Sequence, residues 1–339
     1  MPILRISRHH HERNKTSLSS ATRDIRGHSR RQRRLHSMSE SSLRKELRAV
    51  ALDTRTTGEK LVKELQTERD ASRSTKYSTA SLRYLKPLAS PLNRRPARIE
   101  VTNEDTLNAA IRLMASGEHH HLPTQNRPIV LSFANSQKPG GGWLNGAMAQ
   151  EEAICFRSSL ARSLEPRLYP LHKGEGLYSP YVLIFREDLK SGHGRMDRDP
   201  GQLPVVSVIS VAALKNPELL TFGEQRSSGG VTGVASTTGE NWNPKYVFRH
   251  DRDRDITKRK MRLALRIAFK HQHGKLVLGA LGCGVFRNPP EDIAHCWLSV
   301  LRENEFSGNR WSHVCFAVYD PKGDGNYETF RRILDGQEV

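Results

Sequence analysis

Glu151 and Glu152 stand side by side in a chain of 339 residues with 54 Lys and Arg against 36 Asp and Glu. They follow Gln150, and seven residues separate Gln150 from Gly140, Gly141 and Gly142 in the stretch KPGGGWLNGAMAQEEA, residues 138–153. A carboxyl group can protonate a leaving oxygen and place negative charge beside an oxocarbenium-like centre, which is glycoside chemistry. Neighbouring helical side chains diverge by about 100°, so the two acids cannot face each other and must have different tasks. Acids at a helix start are ordinary, because the dipole favours them there. What sets this pair apart is its company. Glycines without a Cβ let a loop turn sharply and bring N–H groups close to a phosphate or sugar. Asn135 and Asn145 add neutral donors and acceptors for hydroxyl groups. The pattern is neither GxGxxG nor GxxxxGK[ST], which removes the main support for hydride transfer or a kinase.

The elements around this stretch place it. PIVLSF (128–133), YVLIF (181–185), LPVVSVIS (203–210), KLVLGAL (275–281) and HVCFAVY (313–319) are short β-rich runs, several apolar throughout, as strands covered on both faces are. Helical patterns at 150–165, 257–272 and 290–303 supply the cover, a helical pattern at 43–62 reads as a lead-in before the main domain, and a capping box from Thr102 to Asp105 predicts another helix with Leu107, Ala110, Ile111 and Met114 on its apolar side. The fold class is a layered α/β/α domain. The glycine loop then lies beyond the carboxyl end of a strand, where open α/β sheets bind ligands.

The rest of the chain narrows the setting. Residues 1–50 hold 13 Lys and Arg against 4 Asp and Glu, half of the net charge of +18, in an Arg, Ser and His rich segment without apolar periodicity. Such a segment cannot recover its ordering entropy by burial and reads as a disordered tail, with RRQRR (30–34) as an address or polyanion contact. Cys155, Cys283, Cys296 and Cys315 form no CxxC pair and read as reduced core residues. The longest apolar run, residues 205–214, falls short of the roughly 20 residues that cross a bilayer. The basic helical segment at 245–275, with Ile256, Leu263, Ile267 and Ala268 for the core, and His119, His120 and His121 read as solvated surface, and no nucleic-acid-binding motif is recognised.

With these residues in view, FANSQKPGGGWLNGAMAQEEA closely resembles the signature of the poly(ADP-ribose) glycohydrolases, in the microbial form built on a macrodomain. A second block, LGALGCGVFRNPP (278–290), resembles the diphosphate loop of that family. The resemblance implies a three-layer α/β/α macrodomain with a mixed, mostly buried sheet and an N-terminal helical extension. It divides the chain into a disordered basic tail (1–41), a helical lead-in and linker (42–97) and a macrodomain-like glycohydrolase domain (98–339). It implies that Glu152 is the catalytic acid, that Glu151 holds the ribose hydroxyls, and that Gln150 and Asn135 orient the sugar. Gly140, Gly141 and Gly142 would approach the distal ribose and phosphates, while Gly282, Cys283, Gly284, Val285 and Phe286 would wrap the diphosphate. A thiolate nucleophile at Cys283 has no evident histidine partner, so a small residue in a tight loop is the favoured reading. Glu152 is expected to gain its proton only with substrate bound, when Glu151 and a diphosphate repel its charge. No cofactor and no metal is called for.

The activity expected is hydrolysis of ribose–ribose O-glycosidic bonds in poly(ADP-ribose), mainly from the terminus, releasing ADP-ribose. The alternatives are a macrodomain that binds ADP-ribose without cleaving it, and a glycosidase that removes a single ADP-ribose from protein or nucleobase. Polymer or ADP-ribosylated macromolecules are the expected partners, with a basic tail on polyanions, no membrane, and a monomer. The compartment is intracellular, with nucleus, cytoplasm and mitochondrion left open.

Overall fold

The computed structural model describes residues 38–86, 88, 90–114, 126–221 and 246–339. The basic tail up to residue 37 and the triple histidine lie outside the described residues. The first helix, α1 (Glu40–Glu64), starts where Ser39 Oγ accepts from the Ser42 amide at 3.3 Å, and it buries Leu47, Val50, Ala51 and Val62 on one face.

The strands β1 (Thr75–Ser78), β2 (Ile99–Thr102), β3 (Ile129–Phe133), β4 (Glu175–Leu183), β5 (Val205–Val211), β8 (Lys275–Leu278) and β9 (His313–Ala317) form one sheet in the order β1-β4-β5-β3-β8-β9-β2; β6 (Leu219–Thr221) pairs with β7 (Tyr246–Phe248) apart from it. From β5 to β2 the neighbours run parallel, and β4 is antiparallel to both of its neighbours, so the sheet is mixed. The helices of more than four residues that follow are α2 (Thr106–Arg112), α3 (Gln150–Arg157), α4 (Asp251–Lys270), α5 (Pro290–Leu301) and α6 (Asn326–Leu334).

Alternation along the strands decides which layer each side chain serves. Ile129 and Leu131 of β3 face the core made with Met261, Leu265, Trp297 and Phe330 of α4, α5 and α6. Val130, with Val208 and Val277, faces the opposite core with Leu47, Leu107, Ile154 and Phe156 of α1, α2 and α3. That is a three-layer α/β/α arrangement, and each such side chain contributes about 1.5–3 kcal/mol by leaving water. Two helix boundaries differ from expectation. Thr102 ends β2 instead of capping a helix, and Asp105 is the cap of α2, its carboxylate accepting from the Leu107 amide at 2.8 Å. Helix α3 stops at Arg157 and a separate turn, Leu160–Ser163, follows. Among the described residues no helix is long and apolar enough to cross a membrane.

Candidate active site

A cleft of ≈ 460 Å³ opens at the carboxyl ends of β3, β8 and β9, within the size range of small-molecule sites. Phe133 and Asn135 from the end of β3, the first turn of α3, Ala280, Gly282 and residues 284–286 after β8, and Tyr319 after β9 line it. Of the residues singled out from the sequence, Asn135, Gln150, Glu151, Glu152, Gly282, Gly284, Val285 and Phe286 meet there.

Both acids are buried, Glu151 at 2% and Glu152 at 7% exposure. The loop amides hold them. Asn135 N donates to Glu151 Oε2 at 2.7 Å and Gly142 N to Glu152 Oε1 at 2.8 Å. Gly141 adopts φ +59, a conformation that L side chains rarely adopt, and a Cβ there would collide with Glu152 Oε1 and lie 3.0 Å from Glu151 Oε2. The two carboxyl groups therefore converge on one glycine although their side chains leave the helix in different directions. Burial pushes the Glu151 carboxyl up to about 8, and the Glu152 charge adds to the rise against the Asn135 and Gly140 amides. Glu151 Oε1 is buried with no hydrogen-bond partner among the described residues.

The glycines do something other than line the cleft. Gly140, Gly141 and Gly142 are absent from its walls and instead fold the loop back onto the acids. Asn145 lies on the exposed 3-10 turn Trp143–Asn145, where its carbonyl accepts from Arg48 Nε of α1 at 3.2 Å, and it does not line the cleft. Gln150 lines the cleft but its amide serves β3: Oε1 accepts from Phe133 N at 2.9 Å, and Nε2 donates to Leu131 O at 2.8 Å and to Thr106 Oγ1 at 3.2 Å. Asn135 uses Oδ1 on the Gln137 and Lys138 amides, leaving Nδ2 as a donor toward the cleft.

Opposite the acids, the loop from Gly279 to Pro289 is pinned by buried Asn288, whose Nδ2 donates to Leu214 O at 2.8 Å and to Gly282 O at 3.2 Å. Gly282 must be glycine, since φ is +77 and a Cβ would strike Asn288 and Ala213. The amides of Gly284, Val285 and Phe286 donate to no carbonyl among the described residues. Three such amides on a turn form an anion cradle. Cys283 is half-buried and does not line the cleft; burial, with the Glu291 charge, pushes its thiol well above the ordinary range, which removes the thiolate a nucleophile needs.

Asp105, singled out in the sequence only for a capping box, lines the cleft together with Asp188, Lys190, His193 and Tyr319, none of which was singled out. Fully buried Arg157, at the end of α3, pairs with Asp105 and donates NH2 to Asn108 Oδ1 at 2.7 Å, and Asn108 Nδ2 reaches Asp188 at 2.9 Å. Burial pushes the His193 imidazole down to about 4, so it is neutral, packed against Phe156 at 5.5 Å between ring centroids.

Over residues 39–187 the chain matches the family model for the microbial-type PARG catalytic domain, PARG being poly(ADP-ribose) glycohydrolase. That span carries α1, the glycine loop and both acids. Solved structures extend the likeness. PARG from Thermomonospora curvata is 28% identical over 84% of this chain and 98% of that one, with a TM-score of 0.62, and the same enzyme bound to the inhibitor ADP-HPD gives 0.59. PARG from Deinococcus radiodurans in complex with ADP-ribose is 26% identical, covering 83% of this chain and 92% of that one, with a TM-score of 0.51. No curated protein matches the chain.

Proposed function

We propose that the protein is a poly(ADP-ribose) glycohydrolase that cleaves ribose–ribose O-glycosidic bonds, mainly from the polymer end, and releases ADP-ribose. The observation that carries this reading is the pairing, across one cleft, of two buried carboxyl groups at the start of α3 with the unused amides of residues 284–286. The amides suit a diphosphate and the acids suit the ribose attached to it, which fixes the direction in which ADP-ribose lies.

In this reading Glu152 protonates the leaving ribose oxygen and then, as a carboxylate held by the Gly142 amide, draws the proton from the attacking water. Glu151 supplies the second charge and holds ribose hydroxyls through Oε1. Its raised affinity for a proton lets the pair enter the reaction with one proton between them. Asn135 Nδ2 orients the sugar, and the hydrophobic Phe286 ring packs beside the ribose.

The test is release of ADP-ribose from defined-length polymer alongside calorimetric binding of ADP-ribose. Glu152→Gln preserves shape and removes the titrating proton, so turnover is expected to fall roughly 10² to 10⁴-fold with affinity little changed. Binding without release from polymer by the wild-type protein would replace the hydrolase with a reader, and release only from mono-ADP-ribosylated protein or nucleobase would identify the single-unit glycosidase.

A further inference from the structure

The wall of the cleft beside the acids is a hairpin that leaves the sheet after β4. Met196 N donates to Phe185 O at 3.0 Å, Glu187 N to Gly194 O at 2.9 Å, and Arg186 and Arg195 form an antiparallel bridge between its two strands. Its tip puts Asp188, Leu189, Lys190 and His193 into the cleft. Its base is held from another part of the chain. Asp53 of α1 pairs with Arg186 through Oδ2 and with Arg195 through Oδ1, the latter at 2.8 Å, so a single carboxylate spans both strands. The two arginines are not equivalent: the Arg195 side chain is 60% exposed, whereas that of Arg186 is 3% exposed and also donates NH1 to the His193 carbonyl at 2.8 Å.

An exposed ion pair contributes little, but a buried guanidinium that loses its carboxylate is strongly disfavoured and must move toward water. The Arg186 side chain also holds the His193 carbonyl, so its movement bears directly on the hairpin. The helix that bears Asp53 also touches the other side of the cleft. Thr54 Oγ1 donates to the Phe156 carbonyl of α3 at 2.9 Å, Arg48 Nε to the Asn145 carbonyl of the glycine loop at 3.2 Å, and Leu47 lines the cleft itself. Helix α1 thus joins the side that carries the acids to the side that carries the hairpin.

We propose that Asp53 is a positioning residue of the substrate cleft, which sets the distance between the 185–196 hairpin and the acid-bearing helix by holding Arg186 and Arg195 together. This rests on the reading of the cleft as the ADP-ribose site, and it predicts a division of labour. Asp53 governs how tightly the nucleotide is held, while the acids, bonded to their own loop amides, keep their geometry.

The experiment uses the full chain with Asp53→Asn, Asp53→Glu and Arg195→Ala. Amide exchange of residues 186–195 in the ligand-free protein is expected to speed up by roughly tenfold or more in Asp53→Asn while β3 and β8 stay protected. KM on polymer and Kd for ADP-ribose should rise by roughly tenfold with kcat within about twofold, and Asp53→Glu should recover most of the affinity. Should Asp53→Asn not fold, Arg195→Ala carries the test, since it removes an exposed partner and should move exchange and KM in the same direction by less. A lower melting temperature with unchanged hairpin exchange and unchanged KM would reduce Asp53 to a stabilising contact and overturn the proposal. Failure of the wild-type protein to bind ADP-ribose would fault the functional reading instead, and hairpin exchange would still decide the role of Asp53.

Discussion

Gln150 Nε2 donates to the Leu131 carbonyl at 2.8 Å, and through this bond the residue before the two acids ties the start of α3 to the middle of the sheet. With Oε1 on the Phe133 amide, the side chain occupies a donor and an acceptor of β3 at once. Gln150→Ala leaves both backbone groups without partners, at a cost of about 1–3 kcal/mol each if no water replaces the amide. It also frees the acid pair to drift. Turnover is therefore expected to fall at least roughly tenfold, with kcat affected more than ADP-ribose affinity. Thermal denaturation and kcat measured together check this, and an unchanged kcat would return Gln150 to an ordinary helix-start role.

Glu151 makes stability depend on pH in a definite direction. Its folded-state pKa of about 8 exceeds the ordinary 4.5, so between these values the folded protein binds more protons than the unfolded chain. Stability contributed by this group is present below pH 4.5 and is lost as pH rises toward about 8. Glu151→Gln should flatten that part of the profile and make the variant the more stable protein at the alkaline end. Melting temperatures across the window for both proteins provide the comparison, and parallel curves would rule the shift out. Turnover that depends on the shared proton should likewise decline above about pH 8.

Gly141→Ala tests the convergence of the two carboxyl groups. The substitution needs a left-handed backbone at φ +59 and pushes a methyl group into Glu152 Oε1. Backbone strain costs about 1–2 kcal/mol. The larger effect is chemical, because displacing either acid is expected to lower turnover by roughly 10²-fold. Circular dichroism should stay native while activity is lost; retained activity would mean that the acids tolerate a different spacing.

Cys283→Ala should leave turnover within about twofold of wild type, because a thiol pushed far above neutrality offers no thiolate to attack with. Loss of activity by orders of magnitude in this variant alone, with binding intact, would reopen covalent catalysis.

The parts of this fold that could be read from sequence were those whose cause is local. The run from 128 to 133 is apolar but for Ser132 because β3 is covered on both sides, and the glycines and acids that follow it are close in the chain as well as in space. Strand β1, TKYS, gives no such signal, since it sits at an edge with every residue at least partly exposed. At the start of α2, Thr102 and Asp105 both suit a cap, and only the pairing of β2 with β9 decides that Thr102 belongs to a strand. Gln150 and Asn145 are expected at the sugar because amides suit hydroxyls; Gln150 does line the cleft while its amide bonds β3, and Asn145 lies on the outer turn, and neither bond has a signal in the sequence. Arg157, Asp53 and the hairpin arginines had no sequence signature at all. Their carboxylate partners lie 52 to 142 residues away from the arginines, and a charged residue in isolation reads as solvated surface.

The position of β3 between β5 and β8 has a consequence for how the protein fails when heated. A central strand of a seven-stranded sheet opens only when the whole sheet does, and the Gln150 bonds extend that protection to the first turn of α3. The acid machinery has no early route to disorder, so irreversible heat inactivation that begins in the chemistry should coincide with collapse of the fold. A weakening of ligand capture that precedes it would originate at the cleft's rim, leaving a protein that still holds its acids in place but grips its ligand poorly.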